Sequence, residues 1–346
     1  MKDRLSLLPR EILHRVFSNF VSPAYKIRNP PADHKTLLAL CQVSHLFCDV
    51  AQPLLFSRVY LRKEKNAQLF LSSGALGRCR RIEELGTTGG YTEQMSQETI
   101  SALIAIAGGK SVKSLRIGNH AFFDASALEL AGPKLQSLTN TCGDTFSKES
   151  DGWNFPFQLT HFDFVYDNDS DWADKVSALI KSSPFITSLG MRIREPLSTD
   201  PPSFSFPEFS SIASHITTLL LGGNAIVTSL RDALIHFSSI THLFLDYDTP
   251  SIQLIVIILD SFSTRKPTIK RLTLNLRKEA FTTAAGRNCW NRIANHRALG
   301  ALEEIIWTDM DTEAWKVFGN VSRGDREVKM VRDDRFSTLR RFGFSA

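Results

Sequence analysis

One short apolar pattern recurs along most of the chain and constrains the fold more than any other feature. The pattern is aliphatic-x-x-aliphatic-x-aliphatic, as in Val112-Lys-Ser-Leu115-Arg-Ile117, and its copies recur about every 27 residues. Alternation over a few residues is typical of a strand with one buried face. The central apolar residues of the copies are Leu85, Leu115, Leu138, Phe162, Leu189, Leu219, Leu243, Leu272 and Ile305.

The segments between these copies predict helices. Helical periodicity is clearest at 96–107, 125–131, 172–181, 226–237, 252–262 and 290–298. Strand and helix in regular alternation predict parallel strands joined by crossover helices. The repeat resembles that of leucine-rich-repeat proteins, whose repeats span roughly 20–29 residues. That resemblance implies an α/β solenoid with parallel strands inside and helices outside.

The repeats depart from the family pattern in one respect. The asparagine that usually follows each strand is mostly missing: Asn119 and Cys142 fit, whereas Tyr166 and Tyr247 do not. We therefore expect an irregular solenoid without a regular asparagine ladder. The Gly-, Ser- or Pro-rich loops at 140–154 and 195–209 are expected to project from it.

Residues that alternate with the inward aliphatics should lie on the concave face of the solenoid. Aromatic rings, hydroxyls and charges of both signs collect there, a mixture that suits a protein or peptide partner. The set carries this hypothesis, since any single member could be a solvated strand residue. The candidate substrate-binding residues are Arg116, His161, Asp163, Arg192, His242, Phe244, Asp246 and Arg271.

The first sixty residues show a different pattern. Residues 5–20 predict an amphipathic helix, and a stretch with three prolines follows at 22–33. A second helix is predicted over 35–51, ended by Pro53, and a strand at 59–61. So small a unit can hardly bury its apolar surface within itself, so it must pack on the rest of the chain or on a partner.

These residues resemble the F-box motif over roughly residues 5–61. The matching segments are Leu8-Pro9-x-Glu11-Ile12-Leu13, Val16-Phe17, Phe20, Leu38-x-Leu40-x-x-Val43-Ser44-x-x-Phe47 and Pro53-Leu54-Leu55-Phe56. Phe47 and Phe56 stand where the family often has Trp, and the connection at 21–36 is longer than usual.

The resemblance implies a docking function. An F-box binds a Skp-type adaptor of a cullin-RING ubiquitin ligase, while the rest of the protein recruits a target. The residues at the motif's contact or support positions are Leu8, Pro9, Ile12, Val16, Phe17, Leu40, Val43 and Phe47. The alternative is an N-terminal cap that packs only on its own solenoid.

We therefore expect an F-box-like module at 1–61, a degenerate solenoid at 62–320 and a basic cap or tail at 321–346. The net charge is only +5, from 41 basic and 36 acidic residues, so neither a nucleic acid nor a membrane is expected as partner. The last segment carries seven Lys or Arg against four Asp or Glu, which indicates a solvated element rather than a nucleic-acid patch. Five cysteines without a CxxC pair, and no secretory signal, favour the cytosol or nucleus.

The motifs that could carry chemistry are incomplete. Gly108-Gly109-Lys110-Ser111 mimics the end of a P-loop but follows a helix, so a turn before the next strand explains it better. Cys41, His45 and Cys48 share one helical face that could hold a metal, yet they belong to the F-box pattern. We expect no catalytic residue, cofactor or metal.

Three hypotheses follow from the sequence. The first is the substrate-recognition subunit of an SCF-type ubiquitin ligase, monomeric within a hetero-complex that includes the adaptor, the cullin and a protein substrate. The second is a leucine-rich-repeat scaffold that acts outside ubiquitination. The third is an enzyme, which would need a convergent polar pocket.

Overall fold

The first elements that the structure describes are three short helices. They are α1 (Arg10–Ser18), α2 (Ala32–Val43) and α3 (His45–Leu55). The computed structural model describes residues 8–18, 20, 32–61, 63–73, 82–87, 95–110, 112–118, 125–140, 155–166, 170–193, 207–223, 234–247, 252–262, 268–276, 290, 292–293, 295–307, 322–323 and 326–332.

A long parallel sheet follows the helices. Eleven strands of the described residues form it, and every neighbouring pair is parallel. Its order is β1 to β10 in sequence, with β13 beside β10, while β11 and β12 form a separate antiparallel pair. The strands are β1 (Arg58–Leu61), β2 (Glu84–Thr87), β3 (Ser114–Ile117), β4 (Ser137–Asn140), β5 (His161–Tyr166), β6 (Ser188–Ile193), β7 (Thr218–Gly223), β8 (His242–Tyr247), β9 (Arg271–Leu276), β10 (Glu304–Trp307), β11 (Ser322–Arg323), β12 (Arg326–Glu327) and β13 (Lys329–Arg332).

The strand register confirms the predicted repeat. The nine central apolar residues, from Leu85 to Ile305, lie side by side in one row across nine strands. Each of them is no more than 2% exposed. A second buried row two residues later runs through Ile117, Phe164 and Leu221 among others. The fold is thus a solenoid of the leucine-rich-repeat kind.

Helices cover one face of the sheet. Their apolar residues, such as Leu103 and Leu259, join the strand rows in one continuous core. The predicted helices at 96–107, 172–181 and 252–262 are confirmed, whereas the predicted helix at 125–131 is a 3-10 helix. The helices are α4 (Glu64–Ser72), α5 (Gln97–Lys110), α6 (Ser170–Ser182), α7 (Pro207–Ile212) and α8 (Ile252–Phe262), with 3-10 turns at Ala125–Ala131 and Arg297–Leu299.

Some repeats depart from the strand-helix alternation. Before β5, the described residues 155–160 contain no helix, and the stacked rings of Phe155 and Phe157 fill the core there. Residues 226–233 of the predicted helix 226–237 lie outside the described residues, as do Asn119, Cys142 and most of both predicted loops. The end of the second loop is instead α7, whose Phe209 is buried against Phe164. The solenoid is therefore irregular, as the sequence predicts.

The predicted helix 35–51 is in fact two helices. The chain leaves α2 at Ser44, whose backbone is extended and whose hydroxyl accepts a hydrogen bond from the Phe47 amide at 3.2 Å. Such a side-chain cap satisfies one of the open amides at a helix start. Pro53 does not end α3 but lies inside its last turn. Apolar periodicity could not reveal this break, because both halves carry apolar residues at helical spacing.

The sheet extends beyond both ends of the segment 62–320. At its start, β1 pairs with β2, so the first strand lies within the residues expected to form the docking module. At its far end, β13 pairs with β10 in the basic segment 321–346. That segment therefore contributes a closing strand.

Threonine hydroxyls add side-chain hydrogen bonds just before several strands. The carbonyl just before each strand accepts backbone N–H groups from the next repeat, as when the Thr217 and Thr218 amides donate to the Thr187 carbonyl at 2.9 and 3.1 Å. In four consecutive repeats a threonine hydroxyl donates to the same carbonyl at 3.2–3.3 Å. The donors of this threonine ladder are Thr160, Thr187, Thr217 and Thr241.

The P-loop-like segment is a packing contact. Helix α5 continues through Gly108 and Gly109 to Lys110, so the predicted turn there is wrong. A Cβ atom at Gly108 would lie 2.1 Å from the Leu130 carbonyl oxygen, so only glycine permits this approach. None of the helices in the described ranges is long and apolar enough to cross a membrane.

Candidate interaction surfaces

The three N-terminal helices enclose a small apolar cluster of their own. The rings of Phe17 and Phe47 meet edge to face at its centre, with centroids 5.3 Å apart. Phe56 contacts both this cluster and the repeat core, so the two join there. The buried members are Leu13, Phe17, Leu37, Phe47, Val50, Ala51 and Leu55.

Helix α1 is also apolar on the side that turns away from this cluster. Ile12 and Val16 lie one turn apart on α1 and are each 45% exposed, and Leu8, two residues before the helix begins, is 36% exposed. We call these three residues the α1 stripe. Leu38 and Val43 of α2 are more exposed still. A surface helix normally buries its apolar residues, so the α1 stripe is suited to contact another polypeptide.

The eight predicted adaptor-binding residues divide by exposure. Phe17 and Phe47 are core residues, and Leu40 is half-buried against the cluster, so these three can support a docking surface. Phe17 and Phe47 cannot contact a partner while the module stays folded. The exposed members are Leu8, Pro9, Ile12, Val16 and Val43.

The eight predicted substrate-binding residues all belong to the sheet face opposite the helices, which we call the open face. Their positions alternate with the buried rows on β3, β5, β6, β8 and β9. Phe244 is nevertheless buried, although it lies on this face. The structure brings three of the eight into one group.

Asp163, Arg192 and Asp246 form a charged triad across β5 to β8. The Arg192 Nη1 donates to both carboxylate oxygens of Asp163 at 2.6 and 2.7 Å, and its Nε lies 3.6 Å from Asp246 Oδ2. The side chain of Arg192 is only 12% exposed. Burial opposes its charge, but the two carboxylates dominate and raise its pKa.

Gly190 makes room for this triad. It lies between Asp163 and Leu220 in the strand register, and a Cβ atom there would lie 2.6 Å from Asp163 Oδ1. Two carboxylates around one guanidinium leave the triad with one net negative charge. Because the three groups bind each other, they brace the sheet from β5 to β8.

A second charged group lies near the far end of the open face. Glu304 accepts a hydrogen bond from Arg271 Nε at 2.6 Å and pairs with Lys329 Nζ at 3.3 Å. Burial raises the pKa of Glu304, but the hydrogen bonds from Arg271 and Lys329 outweigh it and lower that pKa. Arg271 and Lys329 are largely exposed, so this end of the open face presents positive charge.

His242 lies between these two groups. Its Nε2 is 2.8 Å from Thr273 Oγ1, and Thr273 is fully buried. Burial, assisted by Arg271 and opposed by Glu304, lowers the pKa of His242 to about 4. His242 is therefore neutral at physiological pH.

The remaining predicted residues lie apart from these groups. The ring of His161 forms a hydrogen bond with the hydroxyl of its chain neighbour Thr160, and burial lowers the pKa of His161. Arg116 lies near Tyr60, whose hydroxyl donates to Glu84. Burial and Glu84 raise the pKa of Tyr60, against the opposing effect of Arg116 and Arg58.

The comparisons with known proteins leave the family open. No model of a known protein family matches the chain, and no curated protein matches it. Within the described ranges, no three His, Cys, Asp or Glu side chains converge as metal ligands, and Cys41, His45 and Cys48 form no such site. The relation to leucine-rich-repeat proteins therefore stands on the repeat pattern and the parallel sheet.

Sequence reasoning missed several residues of these surfaces. Tyr60 and Glu84 form the first polar contact of the open face, but nothing in the sequence showed that the strand predicted at 59–61 pairs with the first repeat. Leu38 belongs to the F-box-like pattern but was not predicted to be exposed. It is exposed because α2 and α3 are separate helices. Lys329 lies on β13, which pairs with β10. The many charged residues of its segment indicated a solvated element and not a strand.

Proposed function

We propose that this protein is the substrate-recognition subunit of an SCF-type cullin-RING ubiquitin ligase. In this proposal the N-terminal helices bind a Skp-type adaptor and, through it, a cullin. The open face of the solenoid binds the target protein. The chain itself catalyses nothing and acts by raising the local concentration of the target near the ubiquitin-carrying enzyme.

The α1 stripe carries this proposal. Ile12 and Val16 lie on the outer side of α1, whereas Leu13 and Phe17 fill the cluster beneath. The α1 stripe coincides with the opening segment of the F-box-like motif, and the repeat core does not cover it. Burying each exposed aliphatic side chain in an interface could contribute up to about 1.5–3 kcal/mol, so a few such contacts suffice for a stable complex.

The open face supports the second half of the proposal. It combines half-buried apolar residues such as Leu220 and Ile306 with the exposed cations Arg271 and Lys329. Protein partners are recognised by this kind of mixture rather than by charge alone. The target therefore contacts a rigid sheet whose side chains are held by their neighbours.

Adaptor binding is the decisive measurement. We expect the double variant Ile12→Asp, Val16→Asp to abolish co-purification with a Skp-type adaptor, because two carboxylates would be buried in the interface. Both positions are exposed, so the variant should keep the circular dichroism spectrum and melting temperature of the wild type. Phe17→Asp would be uninformative, because it places a charge in the core.

Leu69→Asp is the matched control. Leu69 is an exposed leucine on α4, 64% exposed, outside the F-box-like motif. This control should bind the adaptor as the wild type does. Equal binding by wild type, control and double variant would reject adaptor docking through α1.

A scaffold outside ubiquitination is the alternative, because the open face would serve it equally well. It predicts no adaptor binding and activity that survives removal of the helices up to Leu55. We also propose that the protein acts in the cytosol or nucleus, where cullin-RING ligases operate. Fractionation of cells that express the tagged protein tests this location.

A further inference from the structure

The open face carries a row of mainly apolar residues across β7, β8, β9, β10 and β13. The members of this row, which we call the apolar strip, lie side by side in the strand register and are Leu220, Phe244, Thr273, Ile306 and Val331. Leu220, Ile306 and Val331 are half-buried, so each presents apolar surface to solvent. Four strand spacings of about 4.8 Å make the apolar strip about 19 Å long, which an extended segment of about six residues would span.

A row of charges borders the apolar strip. Arg271, Glu304 and Lys329 lie side by side on β9, β10 and β13, each two residues before a member of the apolar strip. Glu304 contacts both cations, at 2.6 Å from Arg271 and 3.3 Å from Lys329. One carboxylate between two cations leaves one net positive charge. The side chains of Arg271 and Lys329 are 51% and 73% exposed, whereas that of Glu304 is 16% exposed, so a partner would meet the cations.

The two cations can bind further carboxylates. The contact between Arg271 and Glu304 uses the Nε–H of Arg271, one of the five N–H donors of a guanidinium. Its terminal Nη groups suit a second carboxylate, and the ammonium of Lys329 carries three donors. Hydrogen bonds from both cations lower the pKa of Glu304, so Glu304 stays ionised and holds Arg271 in place.

We propose that the open face binds an extended target segment that places aliphatic side chains on the apolar strip and carboxylates beside Arg271 and Lys329. The charged triad at β5 to β8 has one net negative charge, so it favours the acidic end of the segment at β9 to β13. A nucleic acid needs many cations along its phosphates, whereas this row offers one net positive charge. The inference rests on the proposed role of the open face in target binding, and not on adaptor docking through α1.

Selection from a phage-displayed library of random peptides tests this inference. The bait is the full-length protein, and the peptides are about 12 residues long, roughly twice what the apolar strip requires. We expect enriched peptides that combine Asp or Glu with aliphatic residues. The variant Arg271→Glu, Lys329→Glu should instead enrich peptides with Lys or Arg, because the charge row is reversed.

The outcomes of this selection separate the inference from the proposed function. Enriched peptides without an excess of acidic residues would overturn the inference but would still support the open face as a binding surface. A wild type that enriches no peptide would overturn the inference and reject the open face as a binding surface for linear segments. Adaptor co-purification is measured separately and is expected to be unchanged in the variant.

Affinity measurements locate the site. A fluorescein-labelled copy of the most enriched peptide should bind Arg271→Gln, Lys329→Gln about tenfold more weakly than the wild type, and the difference should shrink in high salt. This neutral variant adds no carboxylate beside Glu304, so it should keep the wild-type melting temperature. The control Lys65→Gln, Arg292→Gln removes two exposed cations that lie on no strand of the sheet, and it should bind as the wild type does. Equal affinities for the neutral variant and the control would overturn the inference.

Discussion

Two arginines on the open face allow the effect of burial on an ion pair to be measured at a fixed distance. Arg192 and Arg271 each approach a carboxylate oxygen at 2.6 Å. The Arg192 side chain is 12% exposed and that of Arg271 is 51% exposed. Removing one partner from a fully buried pair costs about 3–5 kcal/mol, whereas an exposed pair contributes about 0–1 kcal/mol.

We expect Arg192→Leu to lower the free energy of unfolding by about 2–4 kcal/mol, because two partly buried carboxylates lose their shared cation. The lower end of this range reflects the remaining exposure of Asp163 and Asp246. Arg271→Leu should cost less than about 1 kcal/mol, and that cost should vanish in high salt.

Urea denaturation followed by circular dichroism, at low and at high salt, measures both variants. A similar loss of unfolding free energy for Arg192→Leu and Arg271→Leu would refute the reasoning. The N–O distance, and not burial, would then determine how much an ion pair stabilises the protein. A loss for Arg192→Leu that disappears in high salt would refute it as well. Arg192→Lys, which keeps the charge but not the two-pronged geometry, should fall between wild type and Arg192→Leu.

Three further predictions follow from the described contacts. The pKa of His242 is lowered to about 4 in the folded protein, whereas it is about 6.5 in the unfolded chain. The stabilisation by neutral His242 is therefore complete above pH 6.5 and is lost as the pH falls toward 4. The free energy of unfolding should be about 3 kcal/mol lower at pH 4 than at pH 7 because of this residue. His242→Gln should remove that component from the pH dependence of urea unfolding, and an unchanged profile would contradict it. Phe47→Ala should destabilise the helical module by about 3–5 kcal/mol in the same assay, and a loss below 1 kcal/mol would show that the ring is not packed. Thr217→Val should lower the free energy of unfolding by about 0.5–1 kcal/mol, whereas Thr217→Ser should not, because serine keeps the hydrogen bond to the Thr187 carbonyl. Equal melting temperatures for the two variants would show that the threonine ladder does not stabilise the fold.

The repeat could be predicted because each strand follows the same local rule. An aliphatic residue at Leu189, Leu219 or Leu243 must face the core, and parallel pairing places these residues in one row. The helix at 252–262 was predictable for the same reason, since its apolar residues recur at helical spacing. Local periodicity is thus sufficient where burial alone decides the structure.

The contacts between distant residues could not be predicted. The triad around Arg192 joins positions 29 and 54 residues apart, and nothing in the sequence near Asp163 identifies its partner. The break at Ser44 depends on one hydroxyl cap within an unbroken helical pattern. Both features arise from particular hydrogen bonds, which leave no trace in apolar spacing.

The carbonyl groups that stand just before the strands mark equivalent positions in successive repeats. Residues 188–217 make up one repeat, which begins after Thr187 and ends at the equivalent Thr217; the carbonyl of each threonine accepts bonds from the repeat that follows. A deletion of that whole interval would leave Thr187 in the place of Thr217 and keep the strand register, whereas a deletion of half of it would break the register. The chain could therefore be lengthened or shortened by complete repeats, and the open face would grow or shrink by one strand at a time.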